Sequence, residues 1–339
     1  MSEYIFYPGC SMESSAKAYY DSLMVIAKPL GITLKEIDDW NCCGATEYVG
    51  MNLIPAYSLI ARNLALAAKM KNGTDTVVAP CSACYLNLAK ADYYMSERPS
   101  LGEKVNQALE AGDLHYEAGS LDIRHLLDVI INDIGLDVLK EKVVKPLKGL
   151  RVAPYLGCMV PRPDYYHRWS DAEHPIELVE VLKAIGAEVI DYPLATSCCG
   201  GHMTQIGPET AYELIRRLIS SADRYQADIM VTVCPMCQMN LDAYQGETNR
   251  YFGTNYQMPI VFFTQLIGLA LGFTPKELGF GTEITSTKRA LARIGVEIPE
   301  PVEEGGPRRK KDEGLPMPPR LIKNAKGKSL HHHVEEAES

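Results

Sequence analysis

Apolar residues in this chain fall into short unbroken runs and longer stretches where they recur every third or fourth position. Short runs mark buried strands, and the helical period marks amphipathic helices. Ile5–Tyr7, Thr76–Ala79, Val152–Tyr155 and Ile229–Val233 read as strands, with another expected around Glu188–Asp191. Ile54–Met70, Ile176–Ile185 and Glu209–Tyr225 read as amphipathic helices, and Tyr85–Met95 and Gln238–Tyr244 are helix-compatible. Alternating strands and helices predict an α/β fold built on a largely parallel sheet. Sites in such sheets gather at the carboxyl ends of strands. The four clear strands each run into a cysteine.

The cysteines divide into two sets of the same grammar, with none left over: Cys10, Cys42, Cys43, Cys81, Cys84 and Cys158, Cys198, Cys199, Cys234, Cys237. Each set is a single cysteine, a vicinal pair and a CxxC. The gaps are 31 and 37 residues in the first set and 39 and 34 in the second. The flanks repeat too: Tyr7-Pro-Gly-Cys10 matches Tyr155-Leu-Gly-Cys158, Cys42-Cys-Gly44 matches Cys198-Cys-Gly200, and Cys84-Tyr-Leu-Asn-Leu88 matches Cys237-Gln-Met-Asn-Leu241. The period of roughly 150 residues is too long for a solenoid and indicates a duplicated domain. Residues 1–148 and 149–296 are the expected halves, joined at the polar connector Lys145–Gly149. An extended, flexible tail is expected over 297–339, where Pro, Gly and charge replace periodicity. The His331–His333 run there is too short to assign.

Composition narrows the class. With 46% hydrophobic and 23% charged residues and no apolar run of membrane-spanning length, the chain reads as soluble. The net charge of -9 and the lack of a concentrated basic face argue against nucleic acid. The first ten residues lack the basic and apolar regions of a secretory signal, so a cytoplasmic location is expected. Thiols there stay reduced, and ten cysteines then read as metal ligands or redox centres rather than disulfides. Asn72-Gly-Thr74 matches a glycosylation sequon without meaning in that compartment.

All-cysteine sets favour zinc or iron-sulfur clusters. Structural zinc takes four ligands, often from two CxxC pairs, whereas each half here offers five thiols and one CxxC. A cubane cluster also takes four, so five point to an unusual cluster or an extra redox-active thiol. Adjacent cysteines on an extended strand face opposite ways, and both reach one centre only through a bend, which Gly44 and Gly200 supply. Each CxxC is expected at a helix N-terminus, with Pro235 in the first turn, where the helix dipole favours thiolate and an anionic cluster.

The two Cys-Cys-Gly blocks, each with its upstream single cysteine and downstream CxxC, resemble the two CCG domains of the heterodisulfide reductase B subunit, over residues 1 to about 290. The resemblance implies tandem Rossmann-like α/β domains related by a pseudo-twofold axis. It implies a noncubane [4Fe-4S] cluster in each half, held by all five cysteines of that half, with both clusters facing a common substrate cavity. It implies an oxidoreductase that cleaves or forms a disulfide, each sulfur engaging one cluster and one electron coming from each. The chain lacks a flavin or nicotinamide fingerprint. Electrons must therefore come from elsewhere, and the resemblance implies a ferredoxin-like C subunit fed by a flavin-containing A subunit, with a small thiol or disulfide as substrate. The alternative is an electron-relay iron-sulfur subunit of a glycolate- or succinate-type dehydrogenase, since such complexes contain related domains.

His202 in Cys198-Cys-Gly-Gly-His202 is the candidate proton donor to product thiolates, weighed against an ordinary hydrogen-bonded loop histidine, which is favoured. His125 reads as structural. Arg162, His167 and Arg168 are weighed as binders of an acidic substrate against solvated loop residues, and Trp40 as a cluster shield against simple packing.

Overall fold

The structure is a computed structural model that describes residues 2–45, 48–71 and 73–298. The expected tail lies outside the described residues from 299 onward, as do His331–His333 and Asn72.

Two four-stranded sheets carry the fold, and both are fully parallel. The first contains β1 (Ser2–Phe6), β2 (Ile32–Glu36), β3 (Thr76–Ala79) and β4 (Asp122–His125) in the order β2-β1-β3-β4. The second contains β5 (Arg151–Tyr155), β6 (Glu188–Val189), β7 (Ile229–Thr232) and β8 (Ile260–Phe262) in the order β6-β5-β7-β8. The repeat in the cysteines is thus a repeat in topology. The chain leaves β1 toward β2 on one side and returns to β3 on the other, so the switch point lies between β1 and β3, and likewise between β5 and β7. Cys10 and Cys81 follow β1 and β3, and Cys158 and Cys234 follow β5 and β7, which sets all four at the switch points.

The expected helices form close to their sequence bounds, at Leu53–Lys69, Ser82–Glu97, Glu177–Ala184, Pro208–Arg224 and Pro235–Ala243. The strand expected over Glu188–Asp191 is shorter, because only Glu188 and Val189 pair with β5. Strands β2, β4 and β8 carry too little pattern of their own to be read from sequence; pairing with a buried neighbour makes them strands.

The halves exchange helices. Helix Lys17–Ala27 of the first packs on helix Phe263–Ala270 of the second, and helix Glu177–Ala184 of the second packs on the short helix Leu126–Val129 of the first. A single apolar core therefore runs from Ile5 and Leu23 through Leu127 to Val181, Val231 and Leu266. A smaller cluster, with Tyr155, Ile215, Leu218 and Leu241, fills the far side of the second sheet.

Candidate functional site

Each five-cysteine set is assembled from three loops by the same devices in both halves. After β1, Gly9 turns the chain at φ 74°, and a Cβ there would sit 2.7 Å from Cys84 Sγ. After β5, Gly157 does so at φ 75°, 3.2 Å from Cys237 Sγ. The backbone can approach its CxxC sulfur only because a side chain is missing. The tyrosine two positions earlier fixes the vicinal loop: the Tyr7 hydroxyl donates to the Asn41 carbonyl, and the Tyr155 hydroxyl to the Ser197 carbonyl, both at 2.7 Å. Burial, then the surrounding cysteines, pushes both phenols far above their ordinary range, so they remain donors.

The vicinal loop is also held from the CxxC helix. Asn87 Nδ2 donates to the Cys43 carbonyl at 3.0 Å, and Asn240 Nδ2 to the Cys199 carbonyl at 2.6 Å. Gly44 and Gly200, at φ 65° and 91°, bend the chain directly after the pairs. In the second half the Gly200 and Gly201 amides donate to Cys198 and Cys199 Sγ at 3.4 Å. Cys81 and Cys234 cap helices Ser82–Glu97 and Pro235–Ala243 in extended conformation, placing both CxxC motifs at positive helix ends.

Three sulfurs of each set are buried (Cys43, Cys81, Cys84; Cys199, Cys234, Cys237), while Cys10, Cys42 and Cys198 are exposed and Cys158 is half-buried. Cys10 and Cys42 sulfurs lie 3.7 Å apart, and those of Cys43 and Cys84 3.5 Å. Cys84 also interacts with Cys81, Cys81 with Cys234 of the other half, and Cys234 with Cys237. The two sets thus meet at their buried ends, through Cys81 and Cys234. Among the described residues, no three or more His, Cys, Asp or Glu converge as a single ion would require. The sulfurs are strung along a path instead.

Mutual hydrogen bonding divides these thiols into donors and acceptors of charge. Hydrogen bonding with Cys42 and then with Cys84 lowers Cys43 to about 4, while the bond with Cys43 drives Cys42 upward. The bond with Cys158 lowers Cys198 to about 6 and raises Cys158.

The accessible pairs open on pockets of their own. Cys10 and Cys42 line one of about 660 Å³, walled by Glu13, Glu36, Asp38 and Asp39. Cys158 and Cys198 line one of about 440 Å³ with Arg162, Glu173, His174 and Arg217.

A family model described as "Cysteine-rich domain" (CCG) matches residues 4–89 and 152–242. A protein of Archaeoglobus profundus, named as similar to the B subunit of heterodisulfide reductase, is 30% identical over 299 residues, covering 87% of this chain and 98% of that protein. The chain belongs to the heterodisulfide reductase B-subunit family. An "8-methylmenaquinol:fumarate reductase membrane anchor subunit" of Wolinella succinogenes is 33% identical over 282 residues, 83% of this chain and 96% of that one. Among solved structures, a hypothetical protein from Helicobacter pylori superposes with TM-score 0.65 at 14% identity, over 84% of this chain. This chain spans about half of that one, at 52%, and the likeness is one of fold. As a family member the chain is an oxidoreductase subunit.

The structure sorts the remaining candidates from sequence. Arg168 lies in a loop but is already engaged there: it pairs with Asp122, lies 3.7 Å from Asp128 and crosses the Tyr166 ring. It belongs to a part-buried network centred on Arg124, which binds Asp128 at 2.6 Å and Asp133 at 2.7 Å. His167 is exposed, at φ 52°. His125 is wholly buried, accepts from the Leu127 amide at the start of its helix, and is driven down to about 4 by burial. Trp40 packs edge-on against Tyr7 at 5.5 Å and donates to Glu36. His202 is half-buried at the first turn of Met203–Ile206, immediately after the Cys198–Cys199 loop. Sequence reasoning missed the bracing roles of Tyr7, Tyr155, Asn87 and Asn240, although all four stand in the repeated flanks.

Proposed function

We propose that this chain is the catalytic subunit of a heterodisulfide reductase-type complex and holds two [4Fe-4S] clusters of noncubane type. Cys10, Cys42, Cys43, Cys81 and Cys84 would hold one; Cys158, Cys198, Cys199, Cys234 and Cys237 would hold the other. The observation that carries the reading is the meeting of two equivalent five-thiol sets through Cys81 and Cys234. Soft donors strung over a path, glycine cradles at Gly9 and Gly157, and two positive helix ends suit a multi-iron anionic group. Bound there, the clusters supply the two electrons that reduction of one disulfide consumes.

The chain's own residues would do the rest. Tyr7, Tyr155, Asn87 and Asn240 hold the loops in register, and the pockets at Cys10–Cys42 and Cys158–Cys198 admit a small thiol or disulfide. His202 is the proposed proton donor to a product thiolate; its support is its place directly after the ligand loop, at the start of Met203–Ile206. The proposed source of electrons is a ferredoxin-like C subunit fed by a flavin-bearing A subunit. Ten reduced cysteines suit a cytoplasmic location. Among the described residues, no helix is long and apolar enough to cross a membrane.

The second reading, an electron-relay component for reduction of an organic acid, draws on the fumarate reductase name of the Wolinella relative. Anaerobic iron and sulfide analysis, followed by electron paramagnetic resonance during titration with disulfides and thiols, separates the two. The disulfide reading expects about eight irons per chain and spectra that shift with thiols. Eight irons whose spectra ignore every thiol would favour relay, and about two zincs without sulfide would defeat both.

A further inference from the structure

The two halves differ in the segment that follows the single cysteine. Six residues, 11–16, lead from Cys10 to helix Lys17–Ala27, whereas eighteen, 159–176, lead from Cys158 to helix Glu177–Ala184. The longer segment does not loop out into solvent. It crosses onto the first half as a strap against helix Ser82–Glu97, the helix that carries Cys84.

Four of the five residues 165–169 are anchored there. The Tyr165 ring lies 4.7 Å from Tyr93 and 5.9 Å from Tyr94. The Tyr166 hydroxyl donates to Asp92 Oδ2 at 2.8 Å, Arg168 pairs with Asp122 of β4, and buried Trp169 meets the rings of Tyr85 at 6.4 Å and His125 at 6.2 Å edge-on. Tyr85 directly follows Cys84. Asp92 is itself buried, and its other oxygen accepts from the Tyr116 hydroxyl at 2.5 Å and the Gly119 amide at 2.6 Å. A buried carboxylate depends on its donors, so the bond from Tyr166 is costly to break.

The strap is also fastened to the second vicinal loop. Arg162 donates to the Thr196 carbonyl, and Thr196 Oγ1 donates to the Glu173 carbonyl at 3.0 Å, two residues before Cys198. One segment thus grips the loop that presents Cys198 and Cys199 and, at its middle, the helix that presents Cys84. The two cysteine sets already meet at their buried ends, through Cys81 and Cys234. The strap adds a second tie at the open end, where the second vicinal loop would otherwise hold its place by local contacts alone.

We infer that this strap sets the spacing between the two five-cysteine sets, with Tyr166 and Trp169 as its positioning residues. Splitting one bond between two centres requires both at a fixed separation, since a misplacement of about 1 Å is enough to cost most of the rate. The tie itself stands on the contacts of the strap, and that the spaced objects are two clusters rests on the function proposed above.

The first arm of the test uses cluster-free protein and hydrogen exchange read by mass spectrometry. In the Tyr166→Phe/Trp169→Leu double variant, exchange should quicken about tenfold both in residues 82–89 and in residues 196–201, and stay within about twofold of the parent in β3 and helix Pro208–Arg224. Trp169→Phe, which keeps a ring against Tyr85, should stay within about threefold of the parent throughout. Should the double variant fail to fold, Tyr166→Phe alone, which deletes one hydroxyl, should show the same pattern at about threefold. No change, a rise confined to residues 159–176, or a rise spread evenly over the chain overturns the inference. In the second arm, the iron-loaded parent and double variant are compared by electron paramagnetic resonance for the magnetic interaction between their clusters, which depends on separation. The interaction should change while iron per chain stays at about eight. An unchanged interaction overturns the spacing role even where exchange has quickened. A parent holding too little iron for two clusters would defeat the function proposed above, and the exchange arm alone would then decide on the strap.

Discussion

At the residue scale, position rather than identity separates ten chemically equal cysteines. Cys198 is exposed, and its hydrogen bond with Cys158 lowers it to about 6; its counterpart Cys42 and its partner Cys158 are pushed the other way. In cluster-free protein at pH 7, Cys198 should therefore be the thiolate that reacts first. Iodoacetamide labelling read by mass spectrometry should find it modified ahead of Cys42, with a rate that falls as the pH drops through about 6 because the thiolate is then protonated. Labelling of Cys42 before Cys198 would contradict this. Gly9 makes the same point for the backbone. Gly9→Ala sets a Cβ 2.7 Å from Cys84 Sγ on a left-handed backbone, at a cost of about 1–2 kcal/mol from the conformation alone. The expected result is loss of the first site with the second retained, so that iron per chain falls to about half.

At the element scale, helices Ser82–Glu97 and Pro235–Ala243 each perform two tasks. Their N-termini present Cys81 and Cys234, and nearly two turns further in, Asn87 and Asn240 reach back to the vicinal loops. Removing either amide leaves the Cys43 or Cys199 carbonyl without that donor and should cost about 1–2 kcal/mol. Asn240→Ala is expected to matter more than Asn87→Ala, because Asn240 is buried and its bond is the shorter. The measurement is the rate of cluster loss to a chelator, which should rise in both variants and faster for Asn240→Ala. An unchanged rate with a lowered melting temperature would make the asparagines props of the fold alone.

At the scale of the whole molecule, the exchanged helices weld the two sheets. Tyr19, from the first half, stacks on Phe262 of the second at 4.4 Å, and its hydroxyl lies 3.1 Å from the Pro80 carbonyl and 3.3 Å from that of Val233, just before Cys81 and Cys234. Ser22 and Thr264 hydrogen-bond across the same interface at 2.7 Å. One core spanning both halves predicts one unfolding event. Urea denaturation of the cluster-free protein should give a single transition, and residues 1–148 expressed alone should aggregate, since Leu23, Leu127 and Ile130 lose their cover. A soluble, cooperatively folded fragment would show the halves to be independent.

The duplication, the α/β class, the principal helices and the five-cysteine grammar were legible in the sequence, because each is written locally: periodicity follows from which faces are buried, and the repeat keeps its flanks. Even the helix N-terminal location of each CxxC could be read from Pro235 and the strand before it. Tertiary structure decided what depends on neighbours distant in sequence. It made strands of β2, β4 and β8 by giving them partners, drew Arg168 into a part-buried ion network, and brought Cys81 and Cys234 together. It also gave two sites of identical grammar opposite surroundings, carboxylates at one mouth and arginines at the other. A ligand motif fixes donor chemistry within its own loop, but the field around it comes from side chains on other elements, and only folding determines which of them face the site.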